Sequence, residues 1–251
     1  MGKVFVFVNQ KGGVGKTTSA INIGAYIALS GKKTLLVDFD SQANMTSGIG
    51  LARQKPTVYD LIAGKASLDQ VIQKSIIPGL DVIPASIDLS GAAIELVDQK
   101  NREFFLKNAL APKRDFYDYI LIDCPPSLGI LTLNGLVAAD EVLIPLQCEY
   151  FALEGLTLLL QTVKRVQKTL NQSLDIGGIF FTMYDSRTRL AQDVVRQVKA
   201  YFKDRVFNTI IPRNVRLSEA PSHGLPICKY DNLCIGARSY EQLSKEVIER
   251  G

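Results

Sequence analysis

KVFVFVNQKGGVGKTT (residues 3–18) passes from an unbroken apolar run into a glycine-rich turn and then into a helix-forming segment. Gly12, Gly13 and Gly15 open backbone conformations that a Cβ disfavours, so successive amides can converge on the oxygens of a phosphate. The turn ends where a helix begins, and the unpaired N–H groups and dipole of that terminus add to the attraction for an anion. In this arrangement Lys16 reaches the β- and γ-phosphates and the Thr17 hydroxyl ligates Mg2+. Gly12, Gly13, Val14, Gly15, Lys16, Thr17 and Thr18 are the candidate phosphate contacts. One position departs from the usual GxxxxGK[ST] spacing. Gln10 stands where glycine is expected, and a second lysine, Lys11, precedes the glycine pair.

Outward from this loop, short apolar runs alternate with longer helical patterns. KVFVFV (3–8), KTLLVD (33–38), LDVIPA (80–85), YDYILID (117–123), EVLIPL (141–146), IGGIFFTM (176–183) and VFNTII (206–211) read as strands. Helices are expected over 16–30, closed by Gly31, and near 89–110, 127–138, 152–169, 187–203 and 236–249. Strands spaced by helices of this length imply an α/β fold: a doubly wound, mostly parallel sheet with helices on both faces. In such sheets ligands bind beyond the carboxyl ends of the strands, where the glycine loop lies. No linker or repeat divides the 251 residues, so a single domain over 1–251 is expected.

Two further strand ends carry carboxylates. LLVDFDSQAN (35–44) finishes with Asp38 and Asp40, which alternation points the same way. Hydrolysis of a γ-phosphate needs an oriented water and neutralised charge more than covalent chemistry, and a carboxylate near that water could orient it or take its proton. Turn chemistry is the plainer reading of the same aspartates. YILIDCPPSLG (119–129) ends its apolar run in Asp123, set to hold Mg2+ through water, with Pro125 and Pro126 stiffening the exit. No NKxD guanine signature is present, so GTP is disfavoured. His223 is the single histidine, which leaves little material for Ser/His/Asp or Cys/His catalysis.

KGGVGKT (11–17) resembles the deviant Walker A loop of the ParA/MinD family of P-loop ATPases, closest to the short chromosomal ParA proteins called Soj, and the resemblance spans essentially the whole chain. It implies that Lys11 is the signature lysine, crossing a dimer interface to the partner subunit's nucleotide. Asp40 would orient the attacking water, Asp38 would lie near Mg2+ and the phosphates, and 119–129 would be the switch that senses the γ-phosphate. Ser41 replaces the proline usual after Asp40 in this family. IIPRNVRLSEAPSHGLPI (210–227) matches the family's nucleotide-side motif, with Pro212 and Asn214 as adenine contacts. The resemblance further implies ATP and Mg2+ as cofactors, an ATP-bound homodimer and binding of double-stranded DNA without sequence preference. A ParB-type centromere-binding partner would stimulate hydrolysis, and the job would be partitioning of replicated DNA.

Charge placement agrees with a polyanion partner. Residues 1–185 hold 17 basic and 18 acidic side chains, whereas residues 186–251 hold 12 and 7. Arg189, Arg213 and Arg216 are the candidate DNA contacts, with Lys199, Lys203 and Arg238 beside them. A solvated surface is the plainer reading of that surplus. Four dispersed cysteines argue against a zinc ribbon or a disulfide framework, and no apolar run approaches the ~20 residues of a membrane span. A cytoplasmic protein, nucleoid-associated when ATP-bound, is expected. Three other readings remain open: a MinD-like membrane-cycling ATPase, an iron–sulfur reductase of the nitrogenase iron-protein type, and an ATP-dependent small-molecule ligase. The chain's end, SYEQLSKEVIERG (239–251), lacks the bulky apolar face that the first requires. The second needs cysteines near the switch segments, and Cys124 and Cys148 are the candidates.

Overall fold

The strands of the computed structural model, which describes residues 2–96 and 98–250, are β1 (Lys3–Phe7), β2 (Thr34–Asp38), β3 (Gln73–Lys74), β4 (Leu80–Ile83), β5 (Tyr119–Asp123), β6 (Glu141–Gln147) and β7 (Asp175–Thr182). They form one sheet in the order β3-β4-β2-β5-β1-β6-β7. All neighbours are parallel except β3 and β4. In β1 the alternation is complete. Phe5 and Phe7 pack on one face, with helix α1 (Lys16–Leu29) and helix Ile235–Arg250. Val4, Val6 and Val8 pack on the other, with helices Ile130–Ala138 and Ala152–Thr169. Both faces are therefore dry, which is why β1, β2 and β5 read as continuous apolar runs rather than alternating ones. Each fully buried Phe or Val contributes about 1.5–3 kcal/mol relative to exposure.

Register places the site. Phe7 of β1 and Asp38 of β2 both pair with Asp123 of β5, so the three strands end at one level. The chain leaves β1 at that level into the glycine loop and re-enters the structure as α1. Gly31, at φ 89, stops α1 in the left-handed conformation that a C-terminal glycine supplies.

Two expected elements are corrected. VFNTII (206–211) is not a strand; the amides of Phe207 and Ile211 bond the Ile179 and Phe181 carbonyls of β7 at 2.8 and 2.9 Å, but no continuous ladder forms between them. Glu246, on helix Ile235–Arg250, accepts hydrogen bonds from the amides of Asn208 and Thr209 at 2.8 and 2.9 Å and from the Thr209 hydroxyl. A side chain thus takes donors that a sheet ladder would have used. The single helix expected over 89–110 is split into Leu89–Glu95, a 3₁₀ turn at Arg102–Phe104 and Phe105–Leu110, with Asn101 at φ 57 between them. The short helices α2 (Asn44–Gly48), Val58–Ile62 and Leu68–Val71 and the two-residue strand β3 were not expected, each being too short to show a period.

Phe207 locks the 206–211 segment against β7. Its ring meets Phe180 at 6.2 Å, and the Arg250 guanidinium lies 4.2 Å from its centroid. A Cβ on Gly178 would come within 2.3 Å of that ring. Gly178→Ala should therefore cost about 1–3 kcal/mol by overpacking. Urea unfolding measures it, and an unchanged midpoint would contradict the packing described.

Candidate nucleotide site

Gly13 and Gly15 adopt φ values of 74 and 87, which only glycine tolerates readily. A Cβ at Gly12 or Gly13 would meet nothing within 4 Å, so crowding does not explain these glycines. The Thr182 hydroxyl donates to the Val14 carbonyl at 2.8 Å and ties the loop to the end of β7. Gly15 directly precedes α1, whose first-turn amides have no partner within the helix. The loop curls over a cavity of about 540 Å3, walled by Gly12, Gly13, Gly15, Lys16, Thr17 and Thr18 and, opposite them, by Asp40, Gln42, Asn44 and Pro126. Gln42, Asn44 and the nearby Thr46 are site residues that reading the sequence did not pick out.

Charge in this cavity is unbalanced. The Lys16 ammonium is nearly buried and donates to the Lys11 carbonyl at 3.1 Å. Burial lowers its pKa, while the charges of Asp123 and Asp40 raise it. Asp123 is 1 % exposed, and neither of its oxygens has a well-formed hydrogen bond. Burial above all, then the charge of Asp38, pushes its pKa up to about 8, against the pull of the Thr17 hydroxyl and Lys16. An orphaned buried carboxylate beside a threonine hydroxyl suits a hydrated divalent cation. Oxygen ligands and retained waters are what Mg2+ takes. Among the described residues no cluster of three His, Cys, Asp or Glu side chains could hold a metal, so phosphate oxygens and water would complete the set.

Asp38 and Asp40 part company. Asp40 lines the cavity and turns one oxygen back to the Gln42 amide at 3.0 Å. Asp38 is fully buried behind it, with one oxygen accepting from the amide and hydroxyl of Thr46 at 2.8 and 2.6 Å and the other from the Asp40 amide at 3.3 Å. Burial, only partly offset by the Thr46 bonds, raises its pKa to about 6.

Pro212 and Asn214, the expected adenine contacts, are brought together. They share a cavity of about 290 Å3 with Gly15, Thr18 and Tyr240, next to the phosphate loop. Asn214 also caps helix Val215–Glu219, its side chain accepting from the Leu217 amide. Lys11 lies outside the phosphate cavity. Its ammonium pairs with Glu149, just past β6, and the two side chains line a separate, largely apolar cavity of about 410 Å3.

Of the basic residues singled out, Arg189 and Arg213 are exposed and have no ion-pair partner among the described residues. Arg216 is engaged by Glu219 at 2.9 Å and Asp231 at 3.5 Å. Lys199, Lys203 and Arg238 are exposed. Cys124 is buried, and a Cβ on Gly135 would come within 2.5 Å of its sulfur, so its thiol cannot reach a cluster shared between subunits. His223 stacks on Tyr230 at 4.9 Å. Among the described residues no helix is long and apolar enough to cross a membrane.

A family model described as an AAA domain matches residues 2–176. The chromosome-partitioning ATPase Soj of Treponema pallidum is 72% identical over 250 residues, covering 100% of this chain and 98% of that protein. The sporulation initiation inhibitor protein Soj of Bacillus subtilis is 54% identical, covering 100% of both. Among solved structures, cobyrinic acid a,c-diamide synthase of Mycobacterium smegmatis with bound ATP analogue and magnesium superposes with a TM-score of 0.86 at 36% identity, covering 99% of this chain and 95% of that one.

The raised pKa values of Asp123 and Asp38 fix a sign for stability. Between the ordinary carboxylate value of 3.8 and about 8, the folded nucleotide-free chain holds protons that the unfolded chain has released. Stability should therefore fall as pH rises through that window. Urea midpoints at pH 5.5 and pH 8 should drop for the unaltered protein and drop less for Asp123→Asn. Equal slopes in the two would show that Asp123 is ionised in the fold.

Proposed function

We propose, for a chain that belongs to the Soj/ParA family of chromosome-partitioning P-loop ATPases, that hydrolysis of Mg2+-bound ATP switches it between a free subunit and a DNA-bound pair. Like its relatives it is an ATPase. The observation that carries the site assignment is the unpartnered, buried Asp123 beneath a glycine loop that also presents Lys16 and Asp40 to one cavity.

Each residue's part follows from its place. The amides of Gly12 to Thr18 and the Lys16 ammonium bind the phosphates, and Pro212 and Asn214 face the adenine. Thr17 and Asp123 hold Mg2+, with the charge of Asp38 behind them. When bound, Mg2+ neutralises charge on the β- and γ-phosphates and orients them. Asp40, at the cavity wall, positions the attacking water. Lys11, already outside its own phosphate cavity, reaches the phosphates of a second copy and so makes pairing depend on ATP. Residues 1–251 act as one ATPase domain.

Pairing brings two copies of the basic C-terminal quarter together. We assign duplex binding without sequence preference to Arg189 and Arg213, with Arg216 joining once freed from Glu219 and Asp231. Phosphate neutralisation supplies the affinity and makes it steeply salt-dependent. A ParB-type partner stimulates hydrolysis, which dissolves the pair and releases DNA. The protein is then nucleoid-associated only while ATP-bound, and the activity serves partitioning of replicated DNA. Helix Ile235–Arg250 supports this over membrane cycling, because Tyr240, Leu243 and Val247 are spent on the core.

Size exclusion of Asp40→Ala should show one subunit with ADP, two with ATP, and co-elution with arbitrary duplex only in ATP. Adding Lys11→Ala should return it to one subunit. Adding Arg189→Glu and Arg213→Glu instead should keep the pair and lose the duplex. A single subunit under every nucleotide, or a pair indifferent to Lys11, would overturn the proposal.

A further inference from the structure

The Thr46 side chain does more than pack. It sits on α2, has no exposed surface, and its hydroxyl is bonded on both sides. It donates to Asp38 Oδ2 at 2.6 Å and accepts from the Ala85 amide, just past β4, at 2.9 Å. The Thr46 amide donates to the same carboxylate oxygen at 2.8 Å. Asp38 Oδ1 in turn accepts from the Asp40 amide at 3.3 Å. A continuous run of hydrogen bonds thus joins the exit of β4, α2, the end of β2 and the backbone of the residue that faces the phosphate cavity.

We propose that Thr46 is a positioning residue for hydrolysis: acting through the Asp38 carboxylate, it sets where Asp40 stands relative to the γ-phosphate. The inference rests on the water-positioning role proposed for Asp40. The turn between Asp38 and α2 has few other restraints on Asp40. Its carbonyl accepts from the Ala43 amide at 2.9 Å and its carboxylate from the Gln42 amide, both within the turn itself. The Phe39 amide donates to the Asp123 carbonyl at 2.9 Å, and Phe39 and Ala43 are buried in the core, which anchors the backbone on either side of Asp40. The side-chain hydrogen bonds that tie this turn to the rest of the fold run through Asp38 and Thr46. Without the hydroxyl, Asp38 loses one of its two Thr46 donors, and the Ala85 amide loses its acceptor in a dry interior. The turn then pivots, and Asp40 moves while the phosphate loop does not. Small misplacements of a reacting group are costly to rate and cheap to affinity.

Thr46→Val keeps the shape and removes the hydroxyl, whereas Thr46→Ser keeps the hydroxyl. In steady-state hydrolysis by the full chain with Mg2+ and ATP, Thr46→Val should lower kcat by roughly 10- to 100-fold, the range seen when an orienting partner is removed. Its KM should stay within about twofold, because the lost interaction serves only the transition state. Thr46→Ser should restore kcat. Placed in an Asp40→Ala background, Thr46→Val should cost nothing further, since the residue it positions is gone; a merely structural role would add its own loss. Should Thr46→Val not fold, Thr46→Cys, with its weak S–H donor, takes its place and the same kcat-selective loss is expected. Wild-type kcat in the folded variant overturns the proposal if Asp40→Ala is inactive. If Asp40→Ala hydrolyses normally, the Asp40 reading itself has failed. A rise in KM with kcat unchanged, no rescue by serine, or additive losses with Asp40→Ala would also overturn it.

Discussion

Three parallel strands end at one level, and two of them end in aspartates that the sheet has taken out of water. Register sets Asp38 opposite Asp123, and Asp40 follows two residues on. One ammonium, that of Lys16, accompanies these three carboxylates into the interior. Removing an ionised group from water costs several kcal/mol unless it is paired. Asp38 offsets that cost with hydrogen bonds from Thr46 and Asp40, and Asp40 in part with one from Gln42. Asp123 has no comparable hydrogen bond, only the weaker pull of the Thr17 hydroxyl and the charge of Lys16. The nucleotide-free fold therefore holds this carboxylate at a pKa of about 8, a state that a divalent cation and its waters relieve.

The same imbalance explains why two lysines in one short segment are not redundant. Lys16 is nearly buried, and its pKa is lowered by burial and sustained by Asp123 and Asp40. In the proposed switch it serves the subunit's own phosphates. Lys11 is half-exposed on the opposite side of the loop and rests on Glu149. An exposed pair of this kind is worth at most about 1 kcal/mol, so it yields readily to a stronger anion. In the proposed pairing that anion is a triphosphate on a second copy. Nucleotide state and pairing would be coupled only in so far as Lys11 meets different charges in the two states. The separation of the two lysines would supply that difference.

Much of this was legible in the residues themselves. Continuous apolar runs disclosed β1, β2 and β5 because those strands are covered on both faces. Gly12, Gly13, Gly15 and Lys16 disclosed the loop because few other tasks need that spacing. Asp123 was visible as a carboxylate closing an apolar strand. What stayed hidden depends on distant partners. Alternation gave no sign that Asp38 and Asp40 would separate, since their difference comes from Thr46, eight residues beyond Asp38. The 206–211 segment has a strand's composition, yet Glu246 at the far end of the chain takes its donors. Arg216 looked like a free cation until folding brought Glu219 and Asp231 to it. Periodicity could not report helices of four or five residues, although Thr57 with Asp60 and Ser67 with Gln70 form capping boxes that mark two of them.

Everything here requires that Mg2+ take the place of the proton that burial holds on Asp123. Isothermal titration of nucleotide into the protein, with Mg2+ or with EDTA, tests that most directly. The unaltered protein should bind ATP at least about tenfold more tightly with Mg2+, a gap of ~1.4 kcal/mol. Asp123→Asn should still bind ATP through the glycine loop and Lys16 but should lose most of that gap. An equal Mg2+ dependence in the two proteins, or none in either, would contradict the account.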